Sequence, residues 1–242
     1  PVMLDLLVNH ISAGSPYFKD YLRRGNASRF ADLFLPVTKF WPDGNPAQED
    51  IDMMFLRRQN PFSTFSIAET GQTVQVWTPF GAPTPSEQID IDVNSGIARR
   101  LLTEVLTKFR ENGVSAVRLD AVGYVTKVPG TSCFCVEPDI DHFLAWLAEQ
   151  ANSLGMDGLP EVHAEYATQF RLARTGHWTY DFILPYLVLE ALLTRTSRKL
   201  KEYLSIRPHR QVTMLDCHDG VPIKPDVNGL YSSRDAQRVV DI

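Results

Sequence analysis

Along the chain, apolar residues keep two different rhythms. From about residue 94 onward, stretches with helical spacing take turns with short continuous apolar runs, the pattern of an α/β protein with a parallel sheet. Asn94-Ser95 precede Ile97, Leu101, Leu102, Val105 and Phe109, and Gly113 follows, so a capped helix is expected there. A strand is expected over Val114 to Asp120. A helix over Asp139 to Leu154 buries Phe143, Leu144, Trp146, Leu147 and Ala151. A strand ending near Glu161 to His163, a short helix from Tyr166 to Ala173, a strand over Tyr180 to Leu184 and a helix from Tyr186 to Arg195 come next. Gln211 to Cys217 closes the series. With the opening Val2 to Val8 run, five strands of the parallel type are predicted.

Residues 11 to 92 break this rhythm. Ser15-Pro16 can start a helix carrying Tyr17, Phe18, Tyr21 and Leu22. The stretch after it is rich in Pro, Gly, Asn and aromatics, with Pro42-Asp43-Gly44 as a turn. It is too long for a bare loop and reads as a small inserted subdomain between residues 1–10 and 93–242.

Composition adds mostly exclusions. The 242 residues, 44% hydrophobic, suffice for one large domain or two smaller ones. A net charge of −5 and a pI near 5.7 give no electrostatic case for nucleic acid. The basic run Arg198 to Lys201 reads as the solvated face of a helix. No apolar stretch reaches the roughly 18 residues that a membrane span needs. Cys133, Cys135 and Cys217 make neither an even disulfide set nor a C-x-x-C pair, which points to a reduced, cytoplasmic setting.

The candidate chemistry lies where strands end. Apolar runs finish in Asn9-His10, in Arg118 and Asp120, in Glu161 and His163, and in His218-Asp219. A buried parallel strand should stay apolar, whereas the strand ends of a (β/α)8 barrel form its active-site face. Alternation puts Arg118 and Asp120 on one side, where the guanidinium favours a charged carboxylate. Taken alone, this is an ordinary strand-end pair. Spacing alone also leaves Glu161 against Glu165, and Asp219 against Asp216, as open choices. Three carboxylates meeting in one cleft would suit glycosyl transfer with retention, which needs a nucleophile and an acid/base. No H-E-x-x-H motif, EF-hand loop or Cys/His spacing points to a metal, and no cofactor is implied.

The ordered strand-end segments resemble the α-amylase superfamily (glycoside hydrolase family 13). They are Asp5 to His10, Gly113 to Tyr124, Glu161-Val162-His163 and Met214 to Asp219. Within that superfamily the run Arg118 to Tyr124 continuing into Gly130 to Phe134, with Gln88 to Asp92 and Tyr180-Asp181-Phe182, is most similar to the sucrose phosphorylase group. The resemblance implies Asp120 as nucleophile, Glu161 as general acid/base and Asp219 as transition-state stabiliser. It implies that His10, Arg118 and His218 bind the glucosyl unit, with Phe80 as an aromatic wall and Gln88 beside it. Arg58 is carried over toward acceptor and phosphate, while Phe55 stands where the group is expected to have Tyr. Pro83 to Ser86 lengthen the segment before Gln88.

The resemblance places this chain at about strands three to seven of a (β/α)8 barrel, and so as a fragment of a longer protein. It implies an α-glucoside and inorganic phosphate as partners, and a homodimer for the full-length protein. The acceptor stays open among fructose, glycerol, glycerate and a sugar phosphate. A hydrolase of the same fold and a non-catalytic carbohydrate-binding fragment are the rival readings.

Overall fold

The structure is a computed structural model that describes residues 1–81, 85–217, 220, 230–232, 234, 237 and 241. It divides into two compact units, Pro1–Asp157 and Gly158–Ile242.

In the first unit, β1 (Met3–Leu7) lies parallel to β6 (Ala116–Asp120). Their register sets Asp5 opposite Arg118 and Leu7 opposite Asp120. β2 (His10–Ser12) pairs antiparallel with β5 (Gln88–Asp90), so the chain enters and leaves the irregular stretch side by side. Inside that stretch lie α1 (Pro16–Arg24), α2 (Gln48–Met53) and the antiparallel pair β3 (Phe62–Ser66) and β4 (Thr73–Trp77). α1 starts as expected: Ser15 accepts the Phe18 amide, Pro16 fills the first turn, and Phe18 and Tyr21 are buried. The expected turn closes with the Gly44 amide on the Trp41 carbonyl at 2.8 Å, and Gly44 takes φ 76°. A cluster of Leu35, Val37, Trp41, Met54, Phe62, Trp77 and Cys133 holds the stretch together.

α3 (Gly96–Glu111) is capped by Ser95, which accepts the Ala98 amide, and it buries Ala98, Leu102 and Leu106. Gly113 follows with φ 80°. α4 (Asp139–Ser153) buries Ile140, Phe143, Leu144, Leu147 and Ala151. Trp146 departs from expectation. It is only half-buried, and the Arg99 guanidinium of α3 lies over its ring, 4.0 Å from the centroid.

In the second unit, β7 (Asp157–Pro160), begun by the last residue of the first, stops one residue before Glu161. α5 (Tyr166–Arg174) follows. β8 (Thr179–Tyr180) runs parallel to β9 (Gln211–Val212), with α6 (Leu184–Thr194) and α7 (Arg198–Ile206) between them. Both strands are shorter than the apolar runs suggest. After Tyr180 the Asp181 carboxylate accepts the Ile183 and Leu184 amides, at 3.3 and 3.0 Å, and α6 begins at Leu184. Phe170, Ile183, Leu184, Tyr186, Leu187 and Tyr203 form this unit's core.

Candidate active site

Arg118 and Asp120 leave β6 on the same side. Arg118 is 6% exposed, donates from Nη1 to Asp120 Oδ1 at 2.9 Å, and lies 3.0 Å from Asp5 Oδ2 across the pair. A buried guanidinium is thus shared by two carboxylates that reach toward solvent. Immediately afterwards Ala121 adopts a left-handed conformation, φ 47°, which turns the chain into one 3-10 turn, Val122–Tyr124. A side chain other than glycine at positive φ stores strain of about 1–2 kcal/mol. Gly123 is required by close approach: a Cβ there would lie 2.4 Å from Phe134 Cε2.

Tyr124 organises what surrounds this turn. Its ring meets Phe80 and Phe134 edge-on, each at 4.8 Å, and stacks beside Phe55 at 6.1 Å. Arg57 Nε donates to the Tyr124 hydroxyl at 2.7 Å. Burial raises the Tyr124 pKa, and the Arg57 charge opposes that rise. Arg58 Nη1 donates to the Gly81 carbonyl at 3.1 Å, which ties it to the segment carrying Phe80.

Phe80 is half-buried, with its ring 6.0 Å from His10. His10 is buried, and its Nδ1 stands 3.0 Å from Asn9 Oδ1. Burial first, then the Lys127 charge, lowers the His10 pKa. Gln88 lies in β5 opposite Ser12, and Gly81, with no Cβ, lets its side chain approach. The structure therefore gathers His10, Phe80, Gln88 and Arg58 around residues 80–81, and Tyr124 connects that group to the turn after Asp120.

Sequence reasoning passed over a buried ion pair here. Lys127 Nζ lies 2.7 Å from Asp90 Oδ2, and both side chains are almost fully enclosed. Burial raises the Asp90 pKa to about 6, against the pull of Lys127. Asp90 sits directly opposite His10 in the β2–β5 pair. The available signal was an acid within an apolar strand, Ile89-Asp90-Ile91, which asks for a partner.

In the second unit Glu161 is buried, whereas Glu165 is exposed at the start of α5. His163 Nε2 lies 3.7 Å from Glu161 Oε1, and its ring stacks on Phe182 at 3.8 Å. Asp181 fixes Phe182 in place: its Oδ1 accepts the amides of Ile183 and Leu184 and the Tyr203 hydroxyl, and Arg207 stands 3.2 Å from Oδ2. Asp216 is exposed. His218 and Asp219 lie outside the described residues, as do Pro83 and Thr84.

Among the described residues no group of three His, Cys, Asp or Glu side chains could hold a metal, and no helix is long and apolar enough to cross a membrane. A groove of about 660 Å³ between α1 and the β3–β4 pair contains none of the sequence-predicted site residues.

No protein-family model matches the chain. It is 53% identical over 241 residues to sucrose 6(F)-phosphate phosphorylase of Thermoanaerobacterium thermosaccharolyticum, covering 100% of this chain and 49% of that protein. It is 40% identical to sucrose phosphorylase of Agrobacterium vitis, over 92% of this chain and 44% of the relative. Glucosylglycerol phosphorylase of Marinobacter adhaerens is 38% identical, over 98% and 48%. The crystal structure of sucrose 6F-phosphate phosphorylase from Thermoanaerobacter thermosaccharolyticum superposes with a TM-score of 0.96, covering 99% of this chain and 49% of that one. Isomaltulose synthase from Klebsiella sp. LX3, at 17% identity and a TM-score of 0.62 over 88% of this chain and 41% of that one, shares the fold alone. The chain spans about half the length of the curated relatives it matches.

Proposed function

On the premise that this stretch belongs to the sucrose phosphorylase group of the α-amylase superfamily, we propose that the whole protein transfers an α-glucosyl unit to phosphate with retention. Residues 1–10 and 93–242 are its portion of a (β/α)8 barrel, about strands three to seven, and 11–92 an inserted subdomain. The observation that carries the reading is the Arg118–Asp120 pair, which aims a carboxylate from the end of a parallel strand. In the first step Asp120 attacks the anomeric carbon while Glu161 protonates the departing oxygen. In the second step phosphate oxygen attacks the same carbon, Glu161 accepts any proton this oxygen carries, and Asp120 is released. Asp219 stabilises the positive charge that builds on the ring in each step. His10, Arg118 and His218 hold the glucosyl hydroxyls, Phe80 and Gln88 line the ring, and Arg58 serves the incoming anion. The reaction needs no metal or cofactor and takes place in the cytoplasm, in a homodimer of the full-length protein.

A second reading concerns the donor. Arg57 and Arg58 stand beside Phe55, Tyr124 and Phe80, and the relative at 53% identity is named for sucrose 6(F)-phosphate. Two guanidinium groups there suit a donor whose leaving sugar carries a phosphate. The test incubates the full-length protein with sucrose or sucrose 6(F)-phosphate, each with and without inorganic phosphate. Phosphate-dependent α-glucose 1-phosphate is the expected product. Glucose released equally without phosphate would mean a hydrolase, and sugar binding without turnover would mean a non-catalytic carbohydrate binder.

A further inference from the structure

The buried Asp90–Lys127 pair closes a ring of contacts around the glucosyl wall. Lys127 Nζ reaches Asp90 Oδ2 at 2.7 Å and also donates to the backbone carbonyl of Tyr124. The Tyr124 ring meets Phe80 at 4.8 Å, and Phe80 lies 6.0 Å from His10. His10 returns to Asp90 through the β2–β5 register. Lys127 lies seven residues beyond Asp120 on the segment that leaves β6, while Asp90 belongs to the strand that closes residues 11–92. One ammonium group thereby joins two stretches of chain that are far apart in sequence.

The surroundings suit no purely structural clasp. Asp90 is 1% exposed, and its Oδ1 has no hydrogen-bond partner among the described residues. Lys127 also lies 5.5 Å from the Trp77 ring centroid, within the core of the irregular stretch. A well-packed apolar pair would fill such a place at no cost or even a gain in stability. A buried ion pair instead fixes geometry, because its strength depends on distance and direction.

We propose that Asp90 and Lys127 are positioning residues: their ion pair locks the segment after Asp120 to the His10 strand, so that His10, Phe80 and Tyr124 present one wall to the glucosyl ring. This rests on the functional reading above. Neither residue touches the reacting atoms. Loosening the pair lets the wall shift from the ring, which weakens binding of donor in the ground state as well as its reaction.

The test uses the full-length protein with Asp90→Asn/Lys127→Met, which leaves no unpaired buried charge, and with Lys127→Gln, which keeps a neutral donor. Thermal midpoints and steady-state kinetics with sucrose are measured side by side. The double variant is expected to stay folded at the assay temperature and to raise KM at least tenfold, and Lys127→Gln to fall between it and wild type. A double variant that folds with wild-type KM and kcat overturns the proposal, and so does a wild-type KM in Lys127→Gln. Failure of both variants to fold also overturns it, since the pair would then serve stability alone. Absence of glucosyl transfer in the wild-type protein would instead defeat the functional reading, which separates the two failures.

Discussion

Tyr203→Phe removes a single oxygen from the centre of the second unit. Tyr203 is fully buried, and its hydroxyl donates to Asp181 Oδ1 at 2.6 Å. Burial and the adjacent carboxylate push the Tyr203 pKa far above its ordinary value, so the phenol remains a donor at any working pH. A hydrogen bond to a charged acceptor contributes about 1.5–3 kcal/mol. Phenylalanine keeps the ring packing on Phe170, and Asp181 keeps the amides of Ile183 and Leu184 and the charge of Arg207. Those remaining partners put the expected loss near the lower end, about 2 kcal/mol. Native-state hydrogen exchange reads it directly: amides of α6 and α7 that open only with this unit should exchange about thirtyfold faster. Amides of the β3–β4 pair, in the other unit, should keep their wild-type rates. Combining Tyr203→Phe with Asp181→Asn should show a coupling of at least about 1 kcal/mol. A loss below about 0.5 kcal/mol, or equal acceleration in both units, would refute the assignment of this hydroxyl as a structural donor.

Further outcomes follow from other contacts. Asp120→Asn in the full-length protein should abolish glucosyl transfer while leaving sugar binding measurable by calorimetry. Retained turnover would remove Asp120 from the mechanism. Gly123→Ala should displace the Phe134 ring and lower stability by about 1–3 kcal/mol, read as a reduced denaturant midpoint. Asp90 should give the protein a pH signature. Its folded pKa of about 6 lies above the unfolded value near 3.9, so the folded state holds the extra proton and this group's contribution to stability rises as pH falls from 7 to 5. The His10 pKa is lowered and works in the opposite sense. Wild type should therefore gain stability on acidification relative to Asp90→Asn, measured as the shift in urea midpoint between those two pH values. Ala121→Val should lose stability where Ala121→Gly does not, because φ 47° crowds a β-branched side chain.

Local signals were legible wherever a single segment carried the whole cause. Ser95 and Gly113 mark the two ends of α3 because a hydroxyl cap and a left-handed glycine act within one turn. The Arg118–Asp120 pair was legible for the same reason, since strand alternation alone brings the two side chains together. The expected strand at Tyr180 to Leu184 is shorter where the Asp181 carboxylate accepts the Ile183 and Leu184 amides, and Tyr203 and Arg207, which also hold that carboxylate, come from 22 and 26 positions away. Trp146 reads as core on spacing, yet it is half-buried, with Arg99 from another helix over its ring. Asp90 and Lys127 are 37 residues apart and share no motif, so only the fold discloses them as a pair. Glu161 could be separated from Glu165 only by burial, which spacing does not report.

The parallel pairing of β1 with β6 also sets an order of events during synthesis. Val2 is clamped by Ser115, through its amide to Oγ at 3.0 Å and through its carbonyl to the Ser115 amide at 2.9 Å. Residues 3–7 can thus make this pairing only once residues 116–120 have left the ribosome. At typical elongation rates this delay is on the order of ten seconds. Over that interval the edge of residues 3–7 that later meets β6 is left unpaired. Shortening the stretch between the two strands would therefore hasten this pairing more than strengthening either strand.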